Sequence, residues 1–100
     1  MHDEPDLDEL TLTSVMAALA DPVRVAIVRE ISARGESACG TFELGVSKAT
    51  RSHHFKVLRE AGITYTRANG THRLMSLRKD DLEERFPGLL TSVLNAAQAI

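Results

Sequence analysis

Apolar positions along the chain recur first at helical spacing, then at strand spacing, then at helical spacing again. Leu10, Leu12, Val15, Met16 and Leu19 predict a first helix from about Leu10 to Ala20. Asp21-Pro22 then resets the backbone, because Asp is a favoured N-cap and Pro at the first helical position has no amide hydrogen to leave unpaired. Val23, Ala26, Ile27 and Ile31 form the stripe of a second helix, stopped near Arg34-Gly35. Between Ser37 and Val46 the apolar Phe42 and Leu44 are flanked by Gly40 and Gly45, so a third helix of one or two turns is predicted. Ser47 caps a clearer fourth helix running to Glu60 or Ala61, with Phe55 and Leu58 turned to the core. Ile63 to Arg67 is β-branched and aromatic, Asn69-Gly70 is a hairpin signal, and His72 to Arg78 is the return strand with Leu74 and Leu77 as its apolar positions. Asp80 or Asp81 caps a last helical stretch, which Pro87-Gly88 interrupts and Leu89, Leu90, Val93, Leu94 and Ala97 continue on one face.

The predicted fold class is mainly α with a β-hairpin wing, in the order α-α-α-α-β-β-α. The 100 residues fit one domain, taken as 10–100, behind an acidic leader at 1–9 expected to be flexible. A domain of this size buries only about 60–65% of its unfolded surface, which makes pairing with a second copy favourable. Aromatic content is 4% with no Trp, so the core must be built from aliphatic side chains, which suits packed helices. No apolar run approaches the roughly 20 residues of a membrane span. The acidic start is the opposite of a secretory leader, and Cys39 is the only cysteine, so a reducing cytoplasm is the expected compartment.

Net charge is −2, which alone argues against a polyanionic partner. Its distribution changes that view. Residues 1–46 sum to −6, residues 47–79 to +7 with Glu60 as the lone acid, and residues 80–100 to −3. A basic middle between acidic ends suggests one face built for a polyanion.

Within that block lies a helix-turn-helix pattern: a short helix, a turn at Gly45-Val46, and a helix opening Ser47-Lys48-Ala49-Thr50-Arg51-Ser52-His53-His54. In such units the second helix enters the major groove and its first residues meet base edges. Lys48, Thr50, Ser52 and His53 are donors and acceptors suited to that role, since Lys donates to guanine and Ser or Thr pairs with several bases. Lys56, and Arg67, His72 and Arg73 on the hairpin, are expected to hold phosphate. Ser47, Arg51 and His54 complete the candidate set. The adjacent imidazoles of His53 and His54 point about 100° apart on a helix, so joint metal ligation is not expected. One should contact DNA and the other pack or cap.

The stretches Leu19-Ala20-Asp21-Pro22-Val23-Arg24 and Val46-Ser47-Lys48-Ala49-Thr50-Arg51-Ser52-His53-His54-Phe55-Lys56-Val57-Leu58-Arg59-Glu60-Ala61-Gly62-Ile63 resemble the ArsR-type winged-helix regulators, as does the wing from Arg67 to Arg78. The similarity covers roughly residues 10–95. It implies a homodimeric repressor on a palindromic double-stranded operator, joined through the first and last helices and released by a small-molecule or redox effector. Leu12, Val15, Met16, Leu19, Leu89, Leu90, Val93, Leu94 and Ala97 are the expected dimer residues.

The chain departs from the family in three places. Metal-sensing members carry a cysteine pair where Ala38-Cys39-Gly40-Thr41-Phe42-Glu43-Leu44 has one, and the last helix offers no ligand, so no metal is expected. The short third helix is glycine-rich. Arg51 stands where the family has an apolar residue, and must reach DNA, solvent or an acid. For Cys39, a small buried residue is preferred over a redox sensor, which would need a resolving thiol from a second chain. There is no phosphate loop, paired carboxylate or nucleophile–base arrangement, so neither enzymatic activity nor a cofactor is expected. The rival reading is a winged-helix protein-interaction module, which would have little reason to keep base-reading residues in a basic block.

Overall fold

The computed structural model describes residues 4–97. Two helices, α1 (Leu12–Ala18) and α2 (Pro22–Arg34), precede a short strand β1 (Ser37–Ala38). Helix α3 (Lys48–Glu60) leads into the hairpin β2 (Thr64–Asn69) and β3 (His72–Leu77), and α4 (Lys79–Arg85) and α5 (Leu89–Ala97) follow. The fold is the mainly helical winged arrangement, with a three-stranded antiparallel sheet in the order β1-β3-β2.

Local chemistry sets most boundaries. The Asp21 carboxylate accepts the amide N–H groups of Val23 (2.8 Å) and Arg24 (3.3 Å), fixing the start of α2. Helix α1 begins at Leu12 rather than Leu10, because the Thr11 hydroxyl caps it and Leu10 drops into the core. Burial pulls on both ends of the chain's centre: Ile27, Leu58, Ile63 and Met75 are fully enclosed, and Phe42 meets Phe55 edge to face at 5.6 Å between ring centres.

The third helix is not formed. Only a single 3-10 turn, Cys39–Thr41, appears there, and Ser37–Ala38 instead pairs with Met75 and Leu74 of β3. Gly40 weakens a helix, while pairing with β3 satisfies the backbone directly. The return strand starts at His72 as predicted, but the turn sits one residue on from Asn69-Gly70. Asn69 pairs with His72, so Gly70-Thr71 forms the two-residue turn. Only Gly70 there has a positive φ (+65°), the pattern of a II′ turn in place of the Asn-Gly I′ form.

Residues directly opposite in this sheet share a face. Met75, opposite Thr66 and Ser37, points into the core; Leu74, opposite Arg67 and Ala38, points outward. Met75, not Leu74, is therefore the main apolar anchor of the return strand. Neither Asp80 nor Asp81 caps α4: its N-cap is Arg78, and the Asp81 carboxylate holds the buried Arg78 guanidinium at 3.0 Å.

Of the acidic leader, expected to be flexible, residues 1–3 lie outside the described residues, and Glu4 and Pro5 are held by hydrogen bonds. The Glu4 carboxylate accepts the Thr66 amide N–H (2.6 Å) on the open edge of β2, and the Pro5 carbonyl accepts from Arg78 (2.7 Å). Covering an edge strand this way removes a template for pairing with another chain. No helix among the described residues is long and apolar enough to cross a membrane.

Candidate nucleic-acid interface

Helix α3 opens on Ser47, whose hydroxyl accepts the Thr50 N–H (3.1 Å) and donates to the Thr50 hydroxyl (3.0 Å). Ser47 and Thr50 therefore form the cap itself, at the surface. Lys48, Ser52, His53 and Lys56 are exposed beyond it. Helical spacing brings Lys48, Ser52 and Lys56 onto one side of α3, facing the hairpin. A cleft of about 700 Å³ lies between them, and among the described residues its walls carry Lys48, Arg51, Lys56, Arg59 and Arg73 and no carboxylate. His72 and Thr66 complete the hairpin side. Such a groove, lined by one sign of charge, concentrates field on a polyanion.

Several predicted site residues take other roles. His54 is 8% exposed and turned inward, with Nδ1 3.1 Å from the Arg24 guanidinium. A guanidinium can only donate, so in this contact Nδ1 is the acceptor. Arg24 also donates to the Ala18 carbonyl (2.5 Å), so it joins the end of α1 to the middle of α3. His54 is thus the packing member of the pair, and His53 is left exposed. Arg51 is half-buried and donates to the Phe42 carbonyl (3.1 Å), which ties α3 to the segment that replaces the third helix. This satisfies a charged group at a position where an apolar residue was expected.

Arg67 does not stand free. Its guanidinium makes two parallel bonds to Glu36, at 2.8 and 2.7 Å. The hydrogen bonds from Arg67, and its charge, outweigh a small burial penalty and hold the Glu36 carboxyl below its ordinary range. Arg73 has no carboxylate partner among the described residues. Cys39 lies half-buried at the base of the cleft, and burial pushes its thiol up against the opposing pull of Arg73, Arg59 and Arg51. That favours the protonated thiol, which is the unreactive form. Among the described residues no three His, Cys, Asp or Glu side chains gather as a metal-binding group.

The expected dimer residues also divide. Leu12 and Met16 are exposed, at 46% and 55%. Val15, Leu90 and Ala97 are buried in the protomer's own core, while Leu19, Leu89, Val93 and Leu94 are half-buried. Periodicity marks an apolar face without saying which copy covers it.

Sequence reasoning passed over Arg24, Glu36 and Arg59. Arg59 could have been found, since it extends the spacing of Lys48, Ser52 and Lys56 along the same side of α3. Glu36 carries no local signal, because its partner lies 31 residues away.

Residues 21–65 match the family described as bacterial regulatory protein, arsR family. The uncharacterized HTH-type transcriptional regulator YceK of Bacillus subtilis (strain 168) is 37% identical over 89 residues, which cover 86% of this chain and 89% of that one. The chain belongs to the arsR family of bacterial regulators. Two solved structures share the fold. One is a possible transcriptional regulatory protein (fragment 1–100) of Mycobacterium bovis, 24% identical, with a TM-score of 0.64 over 84% of this chain and 90% of that one. The other is Rv0081 of Mycobacterium tuberculosis, 23% identical, with a TM-score of 0.65 over 87% and 88%. This arsR-family member is a DNA-binding transcription regulator of the helix-turn-helix type, not an enzyme.

Proposed function

We propose that this regulator is a homodimeric repressor that seats α3 in the major groove of a palindromic operator and lays its hairpin along the backbone. The observation that carries the reading is the cleft between α3 and the hairpin, where five cationic side chains and no carboxylate are found among the described residues that line it. Lys48, Ser52 and His53, exposed on the first turns of α3, read base edges, and Thr50 adds its methyl and hydroxyl beside the cap. Lys56, His72 and Arg73 hold phosphate. His54 and Arg51 serve the interface from behind, by fixing where α3 sits.

Exposed Leu12 and Met16 on α1, with half-buried Leu89 and Val93 on α5, supply the self-complementary surface of a two-fold dimer. Its two recognition helices would stand about 34 Å apart, one turn of duplex. Repression follows from the family resemblance, through occupancy of the operator. A small-molecule effector that alters the angle between the two helices would release it.

The test compares two variants on operator and scrambled duplexes at several salt concentrations. Lys48→Ala is expected to weaken operator binding by about 1–3 kcal/mol while leaving scrambled DNA little changed. Arg73→Gln is expected to weaken both alike and to lower the salt slope by about 0.9 for each wing engaged. Unchanged operator affinity in the first, or a base-selective loss in the second, would overturn these assignments.

A further inference from the structure

The two hairpin arginines occupy opposite faces of the sheet and meet different surroundings. Arg73 lies on the same strand as the inward-facing Met75, two residues away, and lines the cleft toward α3. Arg67 is paired with Leu74, on the outer face. From there it reaches across β3 to Glu36, the residue just before β1, with Nε 2.8 Å and Nη2 2.7 Å from the two carboxylate oxygens. Both side chains remain solvent-accessible, at 59% for Arg67 and 34% for Glu36. The pair is therefore not forced by burial. A guanidinium and a carboxylate held in this fork satisfy each other's geometry, and the same fork is the one that would otherwise grip a phosphate.

We infer that Glu36 masks Arg67 from DNA, so that the wing engages phosphate through His72 and Arg73 and not through Arg67, and Glu36 sets an upper limit on sequence-independent affinity. The pair is electrically neutral, so it contributes nothing to counterion release, whereas a lone arginine at the same place would recruit one phosphate. Glu36 is in this sense a positioning residue: it acts on DNA through the guanidinium it holds. It also fastens the outer face of β2 to the start of β1, across the intervening strand. A regulator must leave non-specific DNA in order to search for its operator, and one unmasked cation per wing would slow that release.

The inference rests on the DNA-binding reading, and the experiment separates the two. Wild type, Glu36→Gln, Arg67→Gln and the double variant Glu36→Gln/Arg67→Gln are titrated by fluorescence anisotropy onto scrambled duplex from about 0.05 to 0.3 M salt. Masking predicts that, for each wing engaged, Glu36→Gln steepens the salt slope by about 0.9 and tightens binding roughly 5–10-fold at 0.1 M salt. The neutral double variant should match wild type in both affinity and slope, a result that a merely structural role for the pair would not give. Arg67→Gln alone should weaken binding, because it exposes the Glu36 carboxylate, without lowering the slope. A double variant whose slope falls by about 0.9 would mean that Arg67 already grips phosphate, and would overturn the inference. So would a Glu36→Gln variant indistinguishable from wild type. Failure of wild type to bind any duplex would instead remove the DNA-binding reading, and this inference with it.

Discussion

Gly62 closes the recognition helix and carries a combined constraint of backbone and space. Its φ is +83°, and a Cβ built there would overlap Leu10 Cδ2 and stand 3.2 Å from Pro5 Cγ. Leu10 is 1% exposed, so its side chain has no solvent into which to move. Gly62→Ala should therefore incur two separate costs. The left-handed backbone costs about 1–2 kcal/mol for a residue with a side chain. Overpacking a filled core costs about 1–3 kcal/mol more. Gly88 separates the two, because its φ is +80° but no atom lies within 4 Å of its would-be Cβ. Gly88→Ala should show the backbone cost alone, and the entropy that alanine removes from the unfolded chain cancels in the comparison. Thermal or guanidinium unfolding of both variants, at one fixed protein concentration because pairing would shift the midpoint, measures the difference. Gly62→Ala should be less stable than Gly88→Ala by about 1–3 kcal/mol, or roughly 4–20 °C in Tm for a domain of this size. Equal losses would refute the steric half of the reasoning and mean that Leu10 and the leader yield freely.

Asp21→Ala should cost about 0.5–2 kcal/mol at pH 7, read by the same unfolding experiment. Burial raises the Asp21 carboxyl, but the amide N–H bonds from Arg24 and Val23 and the nearby charges outweigh it, and its folded pKa is lowered. Its contribution is thus complete above about pH 4, the unfolded value, and is lost as pH falls through the lower folded value, so the gap between wild type and Asp21→Ala should narrow below about pH 4. Met16→Glu should leave the protomer folded, since Met16 is 55% exposed, but should separate a dimer. Complete burial of a large apolar side chain stabilises by about 1.5–3 kcal/mol, about half of it remains to be gained at Met16 and two-fold symmetry counts it twice, so the dimer Kd should rise by at least about 10-fold in sedimentation equilibrium. A variant that stays dimeric would place the interface elsewhere.

The elements that could be read directly from the chain are those governed by neighbours in sequence. Asp21-Pro22 starts α2, Ser47 starts α3, and Gly70 closes the hairpin, because a cap or tight turn needs only two or three adjacent residues. Ser37–Ala38 became a strand through pairing with β3, whose residues lie more than thirty positions on, so no local pattern could announce it. The same distance hid the Glu36–Arg67 pair and the Glu4 contact with β2. At the candidate interface, residue types on α3 identified the helix but not the orientation of each side chain. His53 and His54 are adjacent and chemically identical, and only packing against Arg24 makes one of them structural. Likewise Val15 and Met16 both lie on an apolar stripe, yet one is core and the other surface.

The proposed function requires the cleft between α3 and the hairpin to hold a specific duplex. The direct measurement is fluorescence anisotropy of the purified protein on duplex DNA from its own upstream region, against a scrambled duplex, across several salt concentrations. Tight binding is expected, weakening steeply with salt and favouring the upstream duplex by about 10³ or more. Weak binding without preference for any duplex offered, and with a shallow salt slope, would contradict it and point to a winged-helix module that binds another protein.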